Sequence, residues 1–269
     1  MSMLSVYVQG WRESAMAVLG LVEDLSAEQW STPTDCPGWT VKDIVAHLAH
    51  LEAVLAGTVA DVSSGARGEV ISDYTEAGVE ARRGRTPDAD VAELRDALAL
   101  REQQLAELPD DPQAVADKTP GDIGWSWDTL LRNRCVDMWC HEQDIRRALD
   151  RPGGFDGTAA QVVTMAFSFA MPFVLGKRVK PPAGTTVQWS VTGEVPVELA
   201  VRVGDDGRAS RVDAISQAPG DWPVTDLAMS TETFTVLAGG RRTPDQVEVT
   251  ITGDEQIGRA VLAHMAVTP

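Results

Sequence analysis

Two histidines and an aspartate on two predicted helices are the residues of this chain best suited to hold a metal ion. His47 lies at the edge of one helix's apolar stripe and can face inward, whereas His50 points nearly opposite and is expected to face solvent. Asp137 and His141 are four residues apart on the margin of the other helix's buried side. Their side chains are therefore neighbours.

A carboxylate and an imidazole on one helix, facing a single imidazole on another, can supply three ligands to a divalent ion. A water or a thiol bound at the remaining position would be partly deprotonated at neutral pH, because the ion stabilises the anion directly. A lone inward histidine is more often a hydrogen-bonded core residue, and Asp-x-x-x-His pairs are common by chance. The pattern alone leaves a metal site and a packing role both open.

Apolar side chains at helical intervals predict the elements that position these residues. The four long helices are expected at 3–24, 40–58, 88–108 and 126–149, with a further one at 157–176. The helix carrying His47 is expected to start at Thr40, which has Asp43 three places on in an acidic variant of the capping box. The polar, glycine-rich residues 59–87 are interpreted as a loop with one short helical turn at most. Four long helices predict a bundle.

The pattern changes from helical to alternating after about residue 153, which predicts a second domain. Strands are expected at 187–191, 197–203 and 212–216 as a meander, then a strand near 224–229, a helix at 231–239, a strand at 246–252 and a closing helix at 254–265. The fold class is therefore α plus α+β, with a four-helix bundle over 1–153 and a smaller α+β domain over 154–269.

Bulk composition narrows the class of partner. The net charge of −17 over 269 residues disfavours nucleic acid and anionic membranes. The longest apolar stretch, 159–175, is interrupted by polar residues and Pro172, so no membrane span is expected. Three cysteines without CxxC spacing are predicted to have packing roles in a reducing compartment, and the N-terminus lacks a signal pattern. These features predict a cytoplasmic protein with small-molecule or protein partners.

Four segments resemble the mycothiol-dependent maleylpyruvate isomerase family, a branch of the DinB-like metalloproteins. Residues 34–48, TDCPGWTVKDIVAHL, resemble its opening motif, and residues 139–149, WCHEQDIRRAL, resemble its second metal-helix motif. The segments FTVLAGGR at 234–241 and VEVTITGD at 247–254 resemble its sterol-carrier-like C-terminal domain. The resemblance thus implies a DinB-like bundle followed by a sterol-carrier-like domain.

The resemblance implies that His47, Asp137 and His141 hold one divalent metal, zinc or alternatively nickel, and carry the catalysis. Asp137 stands where the family has glutamate, and Asp144 is expected to orient an imidazole or an arginine. Arg146 and Arg147 are predicted to bind a carboxylate of substrate or cofactor, or else to neutralise the C-terminal end of their helix.

The family's chemistry implies that the ion activates mycothiol for attack on an electrophilic small molecule. In the isomerase the thiolate adds to a cis double bond, the resulting single bond rotates, and the thiolate leaves to give the trans isomer. A thiol S-transferase would stop after the addition. A non-catalytic metal- or ligand-binding protein, or a protein whose ion is purely structural, is also consistent with the sequence. We expect an actinobacterial monomer or homodimer.

Overall fold

The computed structural model describes residues 2–61, 71–213 and 224–268. The chain divides into two compact units, Met1–Val162 and Val163–Pro269. The first is helical and the second contains a mixed sheet, which confirms the predicted α plus α+β class. The predicted domain boundary between residues 153 and 154 stays a prediction.

The helices of the first unit follow the apolar patterns closely. Within the described residues they are α1 (Met3–Leu21), α2 (Ala27–Trp30), α3 (Val41–Ala56), α4 (Ile71–Glu80), α5 (Pro87–Gln104), a 3-10 turn at Pro120–Asp122, α6 (Trp127–Ala148) and the start of α7 (Thr158–Phe173). Helix α1 packs on α6, and α3 packs on α5. The four long helices α1, α3, α5 and α6 therefore form the predicted bundle.

The start of α3, which sets the position of His47, is fixed by the predicted capping box. The Asp43 carboxylate accepts from the Thr40 backbone N–H at 2.9 Å, and the Thr40 hydroxyl accepts from the Asp43 N–H at 3.4 Å. Gly57, with φ of 80°, ends the helix in the left-handed conformation. Both ends of α3 are thus determined by local sequence.

Two helical segments were not predicted. Ten residues, Ile71–Glu80, form α4, so the interpretation of 59–87 as a loop with a single turn is wrong for this part; residues 62–70 lie outside the described chain. Gly78 weakens the helical signal there, and α4 is stabilised by packing on α3. The short α2 starts at a Ser26–Gln29 capping box and buries Trp30.

In the described part of the second unit, α7 continues into a π-helix at Val174–Val179 and is followed by a five-stranded sheet and two α-helices. The elements are β1 (Thr186–Thr192), β2 (Val197–Val203), β3 (Ala209–Val212), β4 (Val224–Ser230), α8 (Thr231–Ala238), a 3-10 turn at Pro244–Gln246, β5 (Thr250–Thr252) and α9 (Glu255–Ala263). The strand order is β3-β2-β1-β4-β5. The first three form the predicted antiparallel meander, and β4 pairs with β1 in parallel.

Two strand predictions differ from the structure. The third strand spans 209–212 rather than 212–216, and residues 214–216 lie outside the described chain. The last strand is only 250–252 rather than 246–252, since a 3-10 turn ends at Gln246 and residues 247–249 are not in a strand. The core of this unit is formed by Trp189, Leu227 and Phe234, all fully buried.

One helical stretch of the described chain, Thr158–Val179, is long and apolar enough by length and composition to cross a membrane. Its mean hydropathy is 1.6, and 56% of its most apolar window is buried inside the protein. Core helices with a buried apolar face meet the same criterion, so the stretch is weak evidence for a membrane span.

Candidate metal centre

Helices α3 and α6 bring together the three predicted ligands. Oδ1 of Asp137 lies 3.4 Å from Nε2 of His47 and 3.5 Å from Nε2 of His141. The two imidazole rings have centroids 4.7 Å apart and are inclined at 70°. We call Nε2 of His47, Oδ1 of Asp137 and Nε2 of His141 the donor triad.

The spacing of the donor triad fits a small divalent ion. Zinc binds nitrogen and oxygen at about 2.1 Å in tetrahedral sites, which places neighbouring donor atoms about 3.4 Å apart. All three atoms lie within 4.8 Å of one another, so little movement is needed to surround an ion. Two imidazoles and one carboxylate are also a donor set typical of catalytic zinc sites with an open position.

Arg134 donates a hydrogen bond to Oδ2 of Asp137. Its Nη1 donates to Oδ2 at 2.9 Å; Oδ2 also lies 3.3 Å from Nε2 of His47, whereas Oδ1 is the oxygen that lies near both imidazoles. Burial acts to raise the pKa of Asp137, but the charges of Arg134 and the two histidines hold it well below its usual range. Asp137 is therefore a carboxylate, as ion binding requires.

Arg134 is itself held by a buried carboxylate of α3. Its Nε and Nη2 donate to Oε1 of Glu52 at 3.1 and 2.8 Å. The indole N–H of Trp11 donates to the same oxygen at 3.0 Å, and Arg101 lies 3.7 Å from Oε2. Opposite charges in this buried cluster compensate one another, so the orientation of Asp137 is anchored in the bundle core.

The second imidazole is oriented by Asp144, one turn further along α6. Nδ1 of His141 lies 3.0 Å from Oδ2 of Asp144, which leaves Nε2 as the ring nitrogen that faces the triad. Burial acts to lower the pKa of His141, but Asp137 and Asp144 raise it well above its usual value. The expected orienting role of Asp144 thus has the required contact.

Arg147 connects this arrangement to the loop before α3. Its Nη2 donates to Oδ1 of Asp144 at 2.6 Å and its Nε to Oδ2 of Asp35 at 2.5 Å. Arg146 donates to Oε1 of Glu142 at 2.7 Å. Both arginines are therefore engaged with carboxylates of the chain itself. Their predicted binding of a substrate or cofactor carboxylate stays a prediction.

The first imidazole, His47, lies under an aromatic ring. The Trp39 ring centroid is 5.1 Å from that of His47 and 6.0 Å from that of His141, and its N–H donates to Glu76 on α4 at 2.9 Å. Burial lowers the pKa of His47, which favours the neutral form that can bind a metal. Its Nδ1 has no hydrogen-bond partner among the described residues.

Solvent reaches the donor triad on the side of the carboxylate. The Asp137 side chain is 28% exposed, whereas those of His47 and His141 are 2% and 6% exposed. The ring of Trp39 covers the two imidazoles. Of the three ligand side chains, that of Asp137 is therefore the one with a substantial exposed surface.

The expectation that His50 faces solvent is wrong. His50 is only 1% exposed, because α4 covers this face of α3. Its Nδ1 accepts from Nη1 of Arg82 at 3.1 Å, and its ring centroid is 6.0 Å from that of Tyr74. Gly78 makes room for the ring, since a Cβ there would lie 2.2 Å from Cδ2 of His50.

Cys36 is not the simple packing residue that was predicted. Its thiol donates to Oδ2 of Asp144 at 3.2 Å, beside His141. Cys135 and Cys140 are buried, as expected for packing roles. Arg134 and Glu52, which fix Asp137, were missed by sequence reasoning; their only signal is a charged residue on the apolar face of a helix.

These features define a class: a helical bundle in which two helices present two imidazoles and a carboxylate around one point. A family model described as the mycothiol maleylpyruvate isomerase N-terminal domain matches residues 11–146, half of the chain, and the chain belongs to that family. No curated protein matches the sequence significantly.

Two solved structures share the fold. Crystal structures of the mycothiol-dependent maleylpyruvate isomerase and of a histidine-to-alanine mutant of it are both 15% identical in sequence to this chain. Each alignment covers 93% of this chain and 94% of the other, with TM-scores of 0.56 and 0.57 respectively. The similarity therefore extends over both units.

Proposed function

We propose that this protein is a metal-dependent, thiol-dependent enzyme of the maleylpyruvate isomerase type. The observation that carries the proposal is the donor triad, in which His47, Asp137 and His141 meet at distances suited to one divalent ion. The family and the shared fold favour this reaction class. We propose zinc as the ion, with nickel as the second candidate, and mycothiol as the thiol.

The residues around the triad have distinct proposed tasks. Arg134 holds the Asp137 carboxylate beside the two imidazoles, and Asp144 binds Nδ1 of His141 so that Nε2 is turned toward the triad. A divalent ion bound there would lower the pKa of a thiol at its open position and so supply a thiolate at neutral pH. Trp39 excludes water from the imidazole side. The thiol and the substrate would enter beside the exposed edge of Asp137.

The proposed reaction consumes and releases no redox equivalents. The thiolate adds to one carbon of a cis double bond and places the electron pair on the neighbouring carbon, where the conjugated carbonyl delocalises it. Rotation about the new single bond follows. Expulsion of the same thiolate restores the double bond in the trans geometry.

We further propose a cytoplasmic location and small-molecule partners only.

The first test is metal content. Purified, tag-free wild type is compared with His47→Ala, Asp137→Ala and His141→Ala by plasma emission spectroscopy, after circular dichroism has shown each variant to be folded. His264→Ala, an exposed histidine of the second unit, is the matched control. We expect near-stoichiometric metal in wild type and control, and its loss in each triad variant. Wild type without metal after incubation with zinc and with nickel contradicts the proposal.

The second test is turnover of maleylpyruvate with mycothiol, followed by product analysis. Formation of the trans isomer with no net loss of thiol supports isomerisation. Accumulation of a thioether adduct identifies an S-transferase instead. Metal without thiol-dependent turnover on maleyl and other electrophilic substrates identifies a binding protein and contradicts catalysis.

A further inference from the structure

A second set of metal-ligating atoms lies on the far side of the His141 ring. Sγ of Cys36 is 3.2 Å from Oδ2 of Asp144, which is 3.0 Å from Nδ1 of His141. The three atoms lie within 4.8 Å of one another. We propose that Cys36, Asp144 and Nδ1 of His141 form a second ion site, selective for soft divalent ions such as cadmium.

The chemistry of the donor atoms supports this selectivity. A thiolate is a soft ligand that prefers cadmium, zinc and copper(I) over magnesium or calcium, and imidazole suits the same ions. Arg147 binds Oδ1 of Asp144 at 2.6 Å, which leaves Oδ2 for the ion. The guanidinium charge is compensated by Asp35, so its repulsion of a cation is reduced. The donor triad contains no sulfur.

Ion binding at this site requires the loss of protons and no redox step. The ion replaces the thiol proton of Cys36 and the Nδ1 proton of His141, Nε2 carries the one proton of the neutral imidazole, and the sulfur and Nδ1 lone pairs bind the ion. The two sites use opposite nitrogens of one imidazole. An ion at the second site therefore replaces the contact in which Asp144 orients His141, so soft-metal binding perturbs the donor triad.

The proposal is independent of the proposed enzyme activity, because it can be tested after the donor triad is destroyed. His47 contributes to the triad and not to the Cys36 group. The His47→Ala protein is titrated with cadmium chloride and followed by the ultraviolet charge-transfer band of cadmium thiolates. We expect the band to saturate at one ion per chain, with release of the Cys36 thiol proton measured in weakly buffered solution.

The control variants identify the sulfur. Adding Cys36→Ser to His47→Ala should abolish the band, and Cys36→Ala should do the same. Adding Cys135→Ala, which removes a buried cysteine of α6, should leave it unchanged. The absence of a band in His47→Ala, or a band that survives loss of Cys36, overturns the proposal. Neither result depends on whether the wild type turns over a substrate.

Discussion

Arg134 and Glu52 form a buried ion pair between α6 and α3, with Nη2 of the arginine 2.8 Å from Oε1 of the carboxylate. The same arginine donates to Asp137 at 2.9 Å. The pair therefore joins the interior of the bundle to the ligand carboxylate. The chain uses two buried charges to fix one side chain of the candidate site.

Replacing Arg134 by leucine should strongly destabilise the bundle. The variant leaves Glu52 as a buried carboxylate whose nearest remaining cation, Arg101, is 3.7 Å away. Removing one partner of a buried pair costs about 3 to 5 kcal/mol of the free energy of unfolding. Urea denaturation followed by circular dichroism measures the change.

Arg132→Leu on the same helix is the control for that experiment. Arg132 is 40% exposed and pairs with Asp128, so its loss should change the free energy of unfolding by less than about 1 kcal/mol. Equal decreases in the free energy of unfolding in the two variants would show that the buried pair stabilises the protein no more than the exposed pair does.

Gly78→Ala should destabilise the contact between α4 and α3. The new methyl group would lie 2.2 Å from Cδ2 of His50, so the ring or α4 must move, at a cost of about 1 to 3 kcal/mol. Gly20→Ala is the matched substitution, because Gly20 is an exposed helical glycine with nothing within 4 Å of the added atom. It should stabilise the protein by about 0.5 to 1 kcal/mol. Thermal and urea unfolding of both variants test the difference, and a stabilising Gly78→Ala contradicts the packing described.

His50 should make a contribution that lowers the free energy of unfolding as the pH is lowered from 7 to 5. Burial and the charge of Arg82 lower the pKa of His50 from 6.5 to about 4. Between these values the unfolded chain binds more protons than the folded one, so the free energy of unfolding rises with pH. Integrating this difference in bound protons from pH 5 to pH 7 gives a His50 contribution of about 2 kcal/mol to the free energy of unfolding.

The His50→Gln variant should therefore lose less stability over this interval than wild type does, measured by urea unfolding at both pH values. His264→Gln, at an exposed position, is the control and should keep the wild-type difference. Identical pH dependence in wild type and His50→Gln would refute a buried neutral imidazole at position 50.

Asp144→Asn should weaken metal binding without removing a triad ligand. The carboxylate orients His141 through Nδ1, and loss of such a partner typically lowers metal affinity about 10- to 100-fold. Competition with a chromogenic chelator measures the affinity. Asp128→Asn, near the start of the same helix, is the control. Unchanged metal affinity in Asp144→Asn would mean that the contact between Asp144 and Nδ1 of His141 does not affect metal binding by His141.

The helices of the bundle and the candidate ligands were predictable because their signals are local. The capping box at Thr40 fixes where α3 starts, and helical periodicity then places His47 on the inner margin. The i, i+4 spacing of Asp137 and His141 does the same on α6. The resemblance to the family distinguished this pair from chance occurrences of the same spacing.

The features that could not be predicted from the sequence depend on tertiary packing. His50 was expected in solvent because α4 was not anticipated, and only that helix covers it. The contact of Cys36 with Asp144 joins residues 108 positions apart, for which no spacing rule exists. The same holds for Glu52 and Arg134, whose pairing is visible only once α3 and α6 are side by side.

The donor triad is split between two helices whose contributions lie 90 positions apart in the chain. An unfolded chain holds these atoms too far apart to chelate one ion, so metal affinity belongs to the assembled bundle. By mass action, free ion at about 1,000 times its dissociation constant would add about 4 kcal/mol to the free energy of unfolding. The supply of metal in the cell would then change the fraction of this protein that is folded.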